Sequence, residues 1–176
     1  MSTGFTCATC GAFHEGHPLC YGPSAPEIWY TIPEAERESR CELSSDQCIV
    51  DDKYFFVLGR VEIPIIETGE EFVWLAWVSL SEKNFERTCE LWEAEGRETE
   101  TPCFAWFSSA LPYEKTTLHL EAILHTRPLG ERPAIELQEC DHPLYLQQRD
   151  GMSLAELQAL TERLMHGQGT GKNRYT

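Results

Sequence analysis

The sequence is short of positive charge and of long apolar runs. It contains 14 lysines and arginines against 29 aspartates and glutamates, which gives a formal net charge of −15 at pH 7. A field of this sign repels phosphate backbones and anionic lipids, so we expect neither nucleic acid nor a membrane as a partner. No apolar stretch approaches the roughly 20 residues that cross a bilayer. The N-terminal stretch MSTGFTCATC lacks a basic region followed by an apolar core, so the sequence predicts a cytoplasmic protein.

Recognisable catalytic motifs are missing as well. The sequence contains no glycine-rich phosphate loop and no nucleophile-elbow pattern around a serine. Catalytic residues are therefore unknown from the sequence, which leaves open whether the protein is an enzyme.

Cysteine, in contrast, is abundant, with 8 residues in a chain of 176. Because no secretion signal is visible, metal binding or buried thiols are favoured over disulfides. Cys7 and Cys10 have the Cys-x-x-Cys spacing that lets one tight turn direct two sulfurs at a single metal ion, and Gly11 relieves crowding where the turn reverses. Thiolate and imidazole ligands suit zinc better than magnesium or calcium. The spacing therefore predicts half of a zinc site.

The remaining ligands of this site are not fixed by the spacing. A tetrahedral zinc ion needs two more donors. The candidates close in sequence are His14, His17 and Cys20, and the more distant ones are Cys41 and Cys48. Four protein ligands would make the zinc structural, whereas three ligands and a water molecule would leave a position for catalysis. We expect the structural role, because a thiolate-rich site is a poor Lewis acid for hydrolysis.

The segment 72–80 carries apolar residues at both odd and even positions, so both faces of the strand that it predicts are apolar. This pattern is typical of a central strand packed on both faces. Trp74 lies on one face of this strand and Trp77 on the other. Ser81 then offers a side-chain oxygen that caps a helix, and the apolar stripe of that helix begins at Phe85. We expect Trp74, Trp77 and Trp106 to fill the core rather than to stack on a ligand.

Shorter patterns surround this segment. A capping box between Ser153 and Glu156 predicts the start of the last helix, and Pro143 suits the first turn of the helix before it.

Strands and helices together predict an α+β fold class, a mostly antiparallel sheet with packed helices and a small N-terminal zinc-knuckle-like segment. Apolar and alternating stretches predict the other strands at 48–50, 54–63, 103–107, 116–127 and 134–137.

The length of the chain bounds its domain organisation. A chain of 176 residues buries roughly 70% of its unfolded surface and can form one proper core. We expect residues 1–166 to form a single α+β domain in which residues 5–48 include the knuckle segment. Residues 167–176, rich in glycine and polar side chains, are expected to form a flexible tail.

Several histidines and acids could in principle carry chemistry. His119, Glu121 and His125 share one face of the predicted strand 116–127, where alternation favours a solvated face over an acid–base cluster. His142 follows Asp141 and precedes a proline, an arrangement more typical of a helix cap than of an oriented general base.

Four stretches, in this order, resemble one family, the mainly bacterial domain-of-unknown-function family numbered 2199. The resemblance covers nearly the whole chain, about residues 5–164, and implies no established activity. It implies a metal-ligand set that combines Cys7, Cys10 and His14 with Cys48. The stretches are CATCGAFHEG, DQCIVDDKYFFVLGRVEIP, WVSLSEKNFERT and RPAIELQECDHPLYLQQRDG.

These observations favour a cytoplasmic protein-binding or regulatory module with structural zinc. Its acidic surface would meet a neutral or basic protein, and an immunity-type inhibitor that masks a toxin is one variant. The alternative is a small metal-dependent hydrolase, with an open zinc position and His142, Glu62 or Glu121 as the base. The sequence determines neither the partner nor the oligomeric state.

Overall fold

The computed structural model of the protein describes residues 4–166. The predicted tail 167–176 therefore lies outside the described residues. The strands, numbered in chain order, are β1 (Phe5–Thr6), β2 (Phe13–His14), β3 (Cys20–Tyr21), β4 (Cys41–Leu43), β5 (Gln47–Val50), β6 (Tyr54–Pro64), β7 (Glu71–Leu80), β8 (Cys103–Phe107), β9 (Glu121–His125) and β10 (Ala134–Leu137). The helices are α1 (Glu27–Thr31), α2 (Glu34–Arg40), α3 (Glu82–Glu90), α4 (Pro143–Asp150) and α5 (Leu154–His166), with a 3₁₀ turn at Arg97–Thr99.

Five of these strands close into a barrel. The strands β6, β7, β8, β9 and β10 pair antiparallel in chain order, and β10 then returns to β6 in parallel through the pair Ala134 and Arg60. The Arg60 N–H donates to the Pro133 carbonyl at 2.9 Å across this seam. The α+β class with mostly antiparallel pairing is thus confirmed, and the closure of five strands into a barrel is a feature that the sequence did not predict.

The seam closes where β6 carries a glycine. A Cβ atom at Gly59 would lie 2.8 Å from Ile135 Cγ1 and 2.9 Å from the Pro133 carbonyl oxygen. Real Cβ atoms do not approach other atoms so closely, so only glycine lets β10 reach β6 here. This local requirement decides whether the sheet remains open or becomes a barrel.

The two faces of β7 belong to two different core clusters, as its double apolar pattern predicts. Trp74 is fully buried in the main cluster, which fills the barrel and continues to the apolar faces of α3, α4 and α5. Trp77 is fully buried in a second cluster outside the barrel, with Ile32, Cys48 and Phe56. The strands β5 and β4 extend the sheet from β6 over this outer face. The side chains of α1 pack against the outer cluster.

The predicted helix starts are confirmed by their hydrogen bonds. The Asn84 N–H donates to Ser81 Oγ at 3.3 Å at the start of α3. At the start of α5, the Ser153 N–H donates to Glu156 Oε2 at 2.8 Å and the Glu156 N–H donates to Ser153 Oγ at 3.2 Å. These reciprocal bonds form a capping box, which fixes where α5 begins and therefore where its far end lies.

Tyr113 connects the main core to α4 and gives a prediction about alkaline stability. Its hydroxyl donates to Gln147 Oε1 at 2.7 Å and accepts from Trp74 Nε1 at 3.2 Å. Burial raises the pKa of Tyr113 to about 12, and the hydrogen bond from Trp74 partly offsets that effect. The pKa of a tyrosine in the unfolded chain is about 10. The protonated Tyr113 hydroxyl therefore contributes fully to the stability of the folded state below pH ~10, and this contribution is lost as the pH rises from about 10 towards 12. Spectrophotometric titration of tyrosinate should show Tyr113 ionising after the exposed tyrosines.

The Tyr113→Phe variant is the control for this titration. Subtracting its curve from that of the parent protein isolates the absorbance of the Tyr113 phenolate. A difference curve centred near pH 10 would contradict the proposed burial effect.

Candidate metal centre

The segment that begins at Cys7 forms a compact turn shaped by its own backbone. The Gly11 N–H donates to the Cys7 carbonyl, and the Cys7 N–H donates to the Ala12 carbonyl, both at 2.9 Å. The Thr9 N–H donates to Cys7 Sγ at 3.4 Å. Gly11 has φ +71°, a left-handed conformation that glycine adopts without a steric penalty. The turn thus aims the sulfurs of Cys7 and Cys10 to one side, as the Cys-x-x-Cys spacing predicts.

The hairpin of β1 and β2 brings in His14. Phe5 pairs with His14, and their ring centroids lie 5.3 Å apart. His14 Nε2 lies 3.5 Å from Cys10 Sγ. A third donor therefore reaches the two sulfurs through two short strands rather than through a loop.

The fourth member of the group is His166, the last residue of α5. One ligand atom from each of Cys7, Cys10, His14 and His166 lies within 4.8 Å of the others. His166 Nε2 is buried and has no hydrogen-bond partner among the described residues. A buried ring nitrogen without a partner is costly, and coordination of a metal ion would satisfy it.

The helix α5 is tied to the cysteine turn by a second contact. The Ala8 N–H donates to Glu162 Oε1 at 2.9 Å, and Glu162 lies one helical turn before His166. This bond lowers the pKa of Glu162, and a hydrogen bond from Gln158 and the nearby His166 and His14 rings act in the same direction. The carboxylate therefore stays ionised beside the group and fixes the end of α5 against the turn.

The electrostatics of Cys7 favour the thiolate that a metal requires. Burial acts to raise the pKa of Cys7, but N–H groups of Cys10 and Thr9 and the Cys10 side chain outweigh it, so the pKa of Cys7 is lowered. Amide groups directed at a sulfur stabilise its negative charge. The turn thus prepares one ligand in the charge state in which it binds metal.

Two sulfurs and two imidazole nitrogens form a donor set suited to a tetrahedral divalent ion. Cys7 is buried, Cys10 is exposed, and the two histidines are half-buried, so the group lies at the surface with one side covered. Such a group can hold a metal ion between the first hairpin of the chain and its last described helix.

The family resemblance implies Cys48 as the fourth ligand, but the structure places His166 in the group and not Cys48. Cys48 lies in β5, fully buried in the outer cluster, and burial raises the pKa of its thiol to about 12. A thiol so strongly protonated is a poor metal ligand. Cys41 lies beside it in β4, and Cys20 lies in β3 paired with Val73. His17 stacks on Phe5 with the ring centroids 4.5 Å apart.

His166 was missed because nothing in its spacing relates it to the N-terminal cysteines. One local signal exists in the sequence. Glu162 and His166 are four residues apart and therefore lie on one face of α5. Only the packing of that helix against the first hairpin reveals what the pair contacts.

The candidate bases of the hydrolase alternative have structural partners. His142 caps α4, since its Nδ1 accepts from the Leu144 N–H at 3.0 Å and its Nε2 lies 3.1 Å from the Lys115 carbonyl. Glu62 pairs with Arg127 at 2.6 Å and with Arg60 at 3.3 Å. His142 and Glu62 are thus engaged by other parts of the fold, and neither belongs to the four-residue group.

The predicted strand face with His119, Glu121 and His125 is only partly regular. Glu121 and His125 delimit β9, and His125 Nε2 lies 2.7 Å from Glu136 Oε2. His119 instead lies in a turn before the strand, with φ +66°. Trp106, which was expected in the core, is 42% exposed, so that prediction is wrong.

Fold and site together define the class of this protein. It is an α+β protein in which a closed five-stranded barrel carries helices outside, and a Cys/His group joins its first hairpin to α5. Among residues 4–166, every helix falls short of the length and apolarity needed to cross a bilayer.

A comparison with known protein families assigns the chain to one of them. The profile of DUF2199, described as an uncharacterized protein conserved in bacteria, matches residues 6–152. The chain belongs to this family, as the resemblance of its motifs predicted. Neither a curated protein nor a solved structure matches the chain. The matched region ends before α5, so it contains three members of the Cys/His group but not His166.

Proposed function

We propose that this chain is a protein-binding module whose zinc ion is structural. The observation that carries the proposal is the closed donor set of Cys7, Cys10, His14 and His166, with ligand atoms within 4.8 Å of one another. Four protein ligands leave no position for a catalytic water molecule. The zinc ion would instead join the N-terminal hairpin to the end of α5, and its binding free energy would stabilise the folded state.

The surface of the chain supports protein binding. A net charge of −15 raises the rate of encounter with basic proteins and repels nucleic acid. An immunity-type inhibitor, which covers the basic face of a toxin, is one form that such a module would take. We place it in the cytoplasm, where thiols remain reduced and available to zinc.

Cobalt substitution tests whether the coordination is closed. The Co²⁺ form of the parent protein should have the visible spectrum of a tetrahedral thiolate site, and added azide or cyanide should leave it unchanged because no ligand position is free. The His166→Ala variant is the matched control, since it opens the fourth position and should respond to azide. Azide sensitivity in the parent protein would instead favour the small metal-dependent hydrolase.

Affinity capture tests the binding part of the proposal. The full chain, used as bait in a bacterial lysate at low salt, should retain a basic protein that, once purified, forms a stoichiometric complex with it. The complex should weaken as salt is raised, because long-range charge attraction is screened. Repeated capture at low salt without any reconstituted complex would contradict the module.

A further inference from the structure

A row of paired residues crosses the outer face of the barrel and forms a groove. Phe56 pairs with Ser79, Ser79 with Trp106, and Trp106 with Glu121 on four successive strands. Directly paired residues point to the same face of a sheet, so the small Ser79 lies between two aromatic side chains. Neighbouring strands are about 4.8 Å apart, so the two aromatic residues are separated by roughly 10 Å at the backbone.

The groove is open to solvent and mainly apolar. Its volume is about 650 Å³, within the range of pockets that hold ligands. Tyr54 extends the aromatic wall formed by Phe56, and both Tyr54 and Trp106 remain about 40% exposed, at 41% and 42%. The remaining lining residues come from α1 and from the loops beside β8 and β9: Glu27, Ile28, Thr31, Ser108, Leu118 and His119.

The geometry points to a lysine or arginine side chain of a basic partner protein as the occupant, with its stem against the apolar lining and its cationic head among the aromatic rings. This inference rests on the proposed function and locates the binding surface of that module. Aromatic faces attract cations, most strongly when the cation is partly desolvated. The long side chains of lysine and arginine combine an apolar stem with a charged end, which matches a groove of this composition.

The charges around the groove agree with a cationic occupant. Glu27 lines the groove, and Glu121 stands exposed at the end of the paired row. Among the described residues that line the groove, none is lysine or arginine. Lys53 Nζ lies 5.3 Å from the centroid of the Tyr54 ring, within the range of a cation–π contact. A second copy of the chain is a poor occupant, because two chains of charge −15 repel each other.

Peptide binding tests the proposal directly. The probes are labelled peptides of one length and one apolar flanking sequence that differ only in a central lysine, arginine, leucine or glutamate. Fluorescence anisotropy with the full-length protein should give a Kd at least tenfold lower for the lysine or arginine peptide than for the leucine peptide, and no measurable binding of the glutamate peptide. Equal or tighter binding of the leucine peptide would overturn the cationic assignment.

Variants locate the binding site. Trp106→Ala should raise the Kd of the lysine peptide at least tenfold, and Glu27→Gln combined with Glu121→Gln should raise it several-fold and reduce its salt dependence. Leu129→Ala is the matched control, because Leu129 is an apolar side chain of similar exposure, at 43%, that does not line the groove. An effect of Leu129→Ala as large as that of Trp106→Ala would overturn the location.

The same variants separate this inference from the proposed function. A basic partner that forms a complex with the parent protein and with Trp106→Ala equally well would overturn the groove and leave the module standing. The absence of any reconstituted complex, together with the absence of peptide binding, would contradict both. Self-association of the parent protein that is lost in Trp106→Ala would assign the groove to a second copy and overturn the cationic occupant.

Discussion

A variant with Cys7→Ser and Cys10→Ser should lose its metal ion and unfold at a temperature roughly 10 °C lower than the parent protein. A ligand present at a thousandfold its Kd stabilises the state that binds it by about 4 kcal/mol. For a chain of this size, each kcal/mol corresponds to about 2–4 °C in Tm. Elemental analysis of the purified protein gives the metal content, and calorimetry gives Tm. The parent protein should contain about one zinc ion per chain.

The controls for this prediction come from the same chain. His166→Ala should lower both metal affinity and Tm, because it removes the only ligand that α5 supplies within the Cys/His group. Cys20→Ser, a change at an exposed cysteine outside that group, should leave both unchanged. Zinc retained in full by His166→Ala would exclude α5 from the site, and a parent protein without any metal would remove the zinc centre altogether.

Arg97→Ala should destabilise the protein by about 3 kcal/mol, because it removes a buried guanidinium and the four hydrogen bonds that it donates. Arg97 is only 7% exposed, and its guanidinium donates to four backbone carbonyls. The acceptors are Trp92 at 2.7 Å, Arg127 at 2.7 Å, Pro128 at 3.1 Å and Glu131 at 2.8 Å. Hydrogen bonds to charged groups contribute roughly 1.5–3 kcal/mol each, and buried carbonyls left without a donor are costly. Urea denaturation at neutral pH measures the change.

Two further substitutions test this explanation of Arg97. Arg97→Lys keeps the charge but replaces a planar fork of five donors with three donors on one nitrogen, so it should recover only part of the lost stability. Arg87→Ala removes an exposed arginine that pairs with Glu90 and Glu100, and should cost less than about 1 kcal/mol. An equal cost for Arg87→Ala and Arg97→Ala would contradict the role of burial.

Local signals in the sequence predicted the parts of the fold that depend on neighbouring residues. The double apolar pattern of β7 placed Trp74 and Trp77 on opposite faces, because successive side chains of a strand alternate. Ser81 and the Ser153–Glu156 pair identified helix starts, because a cap acts over three or four residues. The Cys-x-x-Cys turn was predictable for the same reason, since its hydrogen bonds stay within six residues, from Cys7 to Ala12.

The exposure of Trp106 was not predictable in this way. Its strand β8 is short and mostly apolar, and such a composition predicts a buried strand. Whether an outward side chain is covered depends on what packs above it, and α1 covers Trp77 but leaves Trp106 beside an open groove.

The sequence by itself determined the α+β class, the cysteine turn, the helix caps and the net negative charge, because each follows from composition or from local patterns of residues. Tertiary structure alone decided the closure of the barrel and the identity of the fourth Cys/His member. Closure requires β10 to approach β6 at Gly59, and the fourth member requires the end of α5 to pack on the first hairpin. Both bring together residues far apart in the chain, and such contacts are set by the packing of whole elements rather than by local spacing.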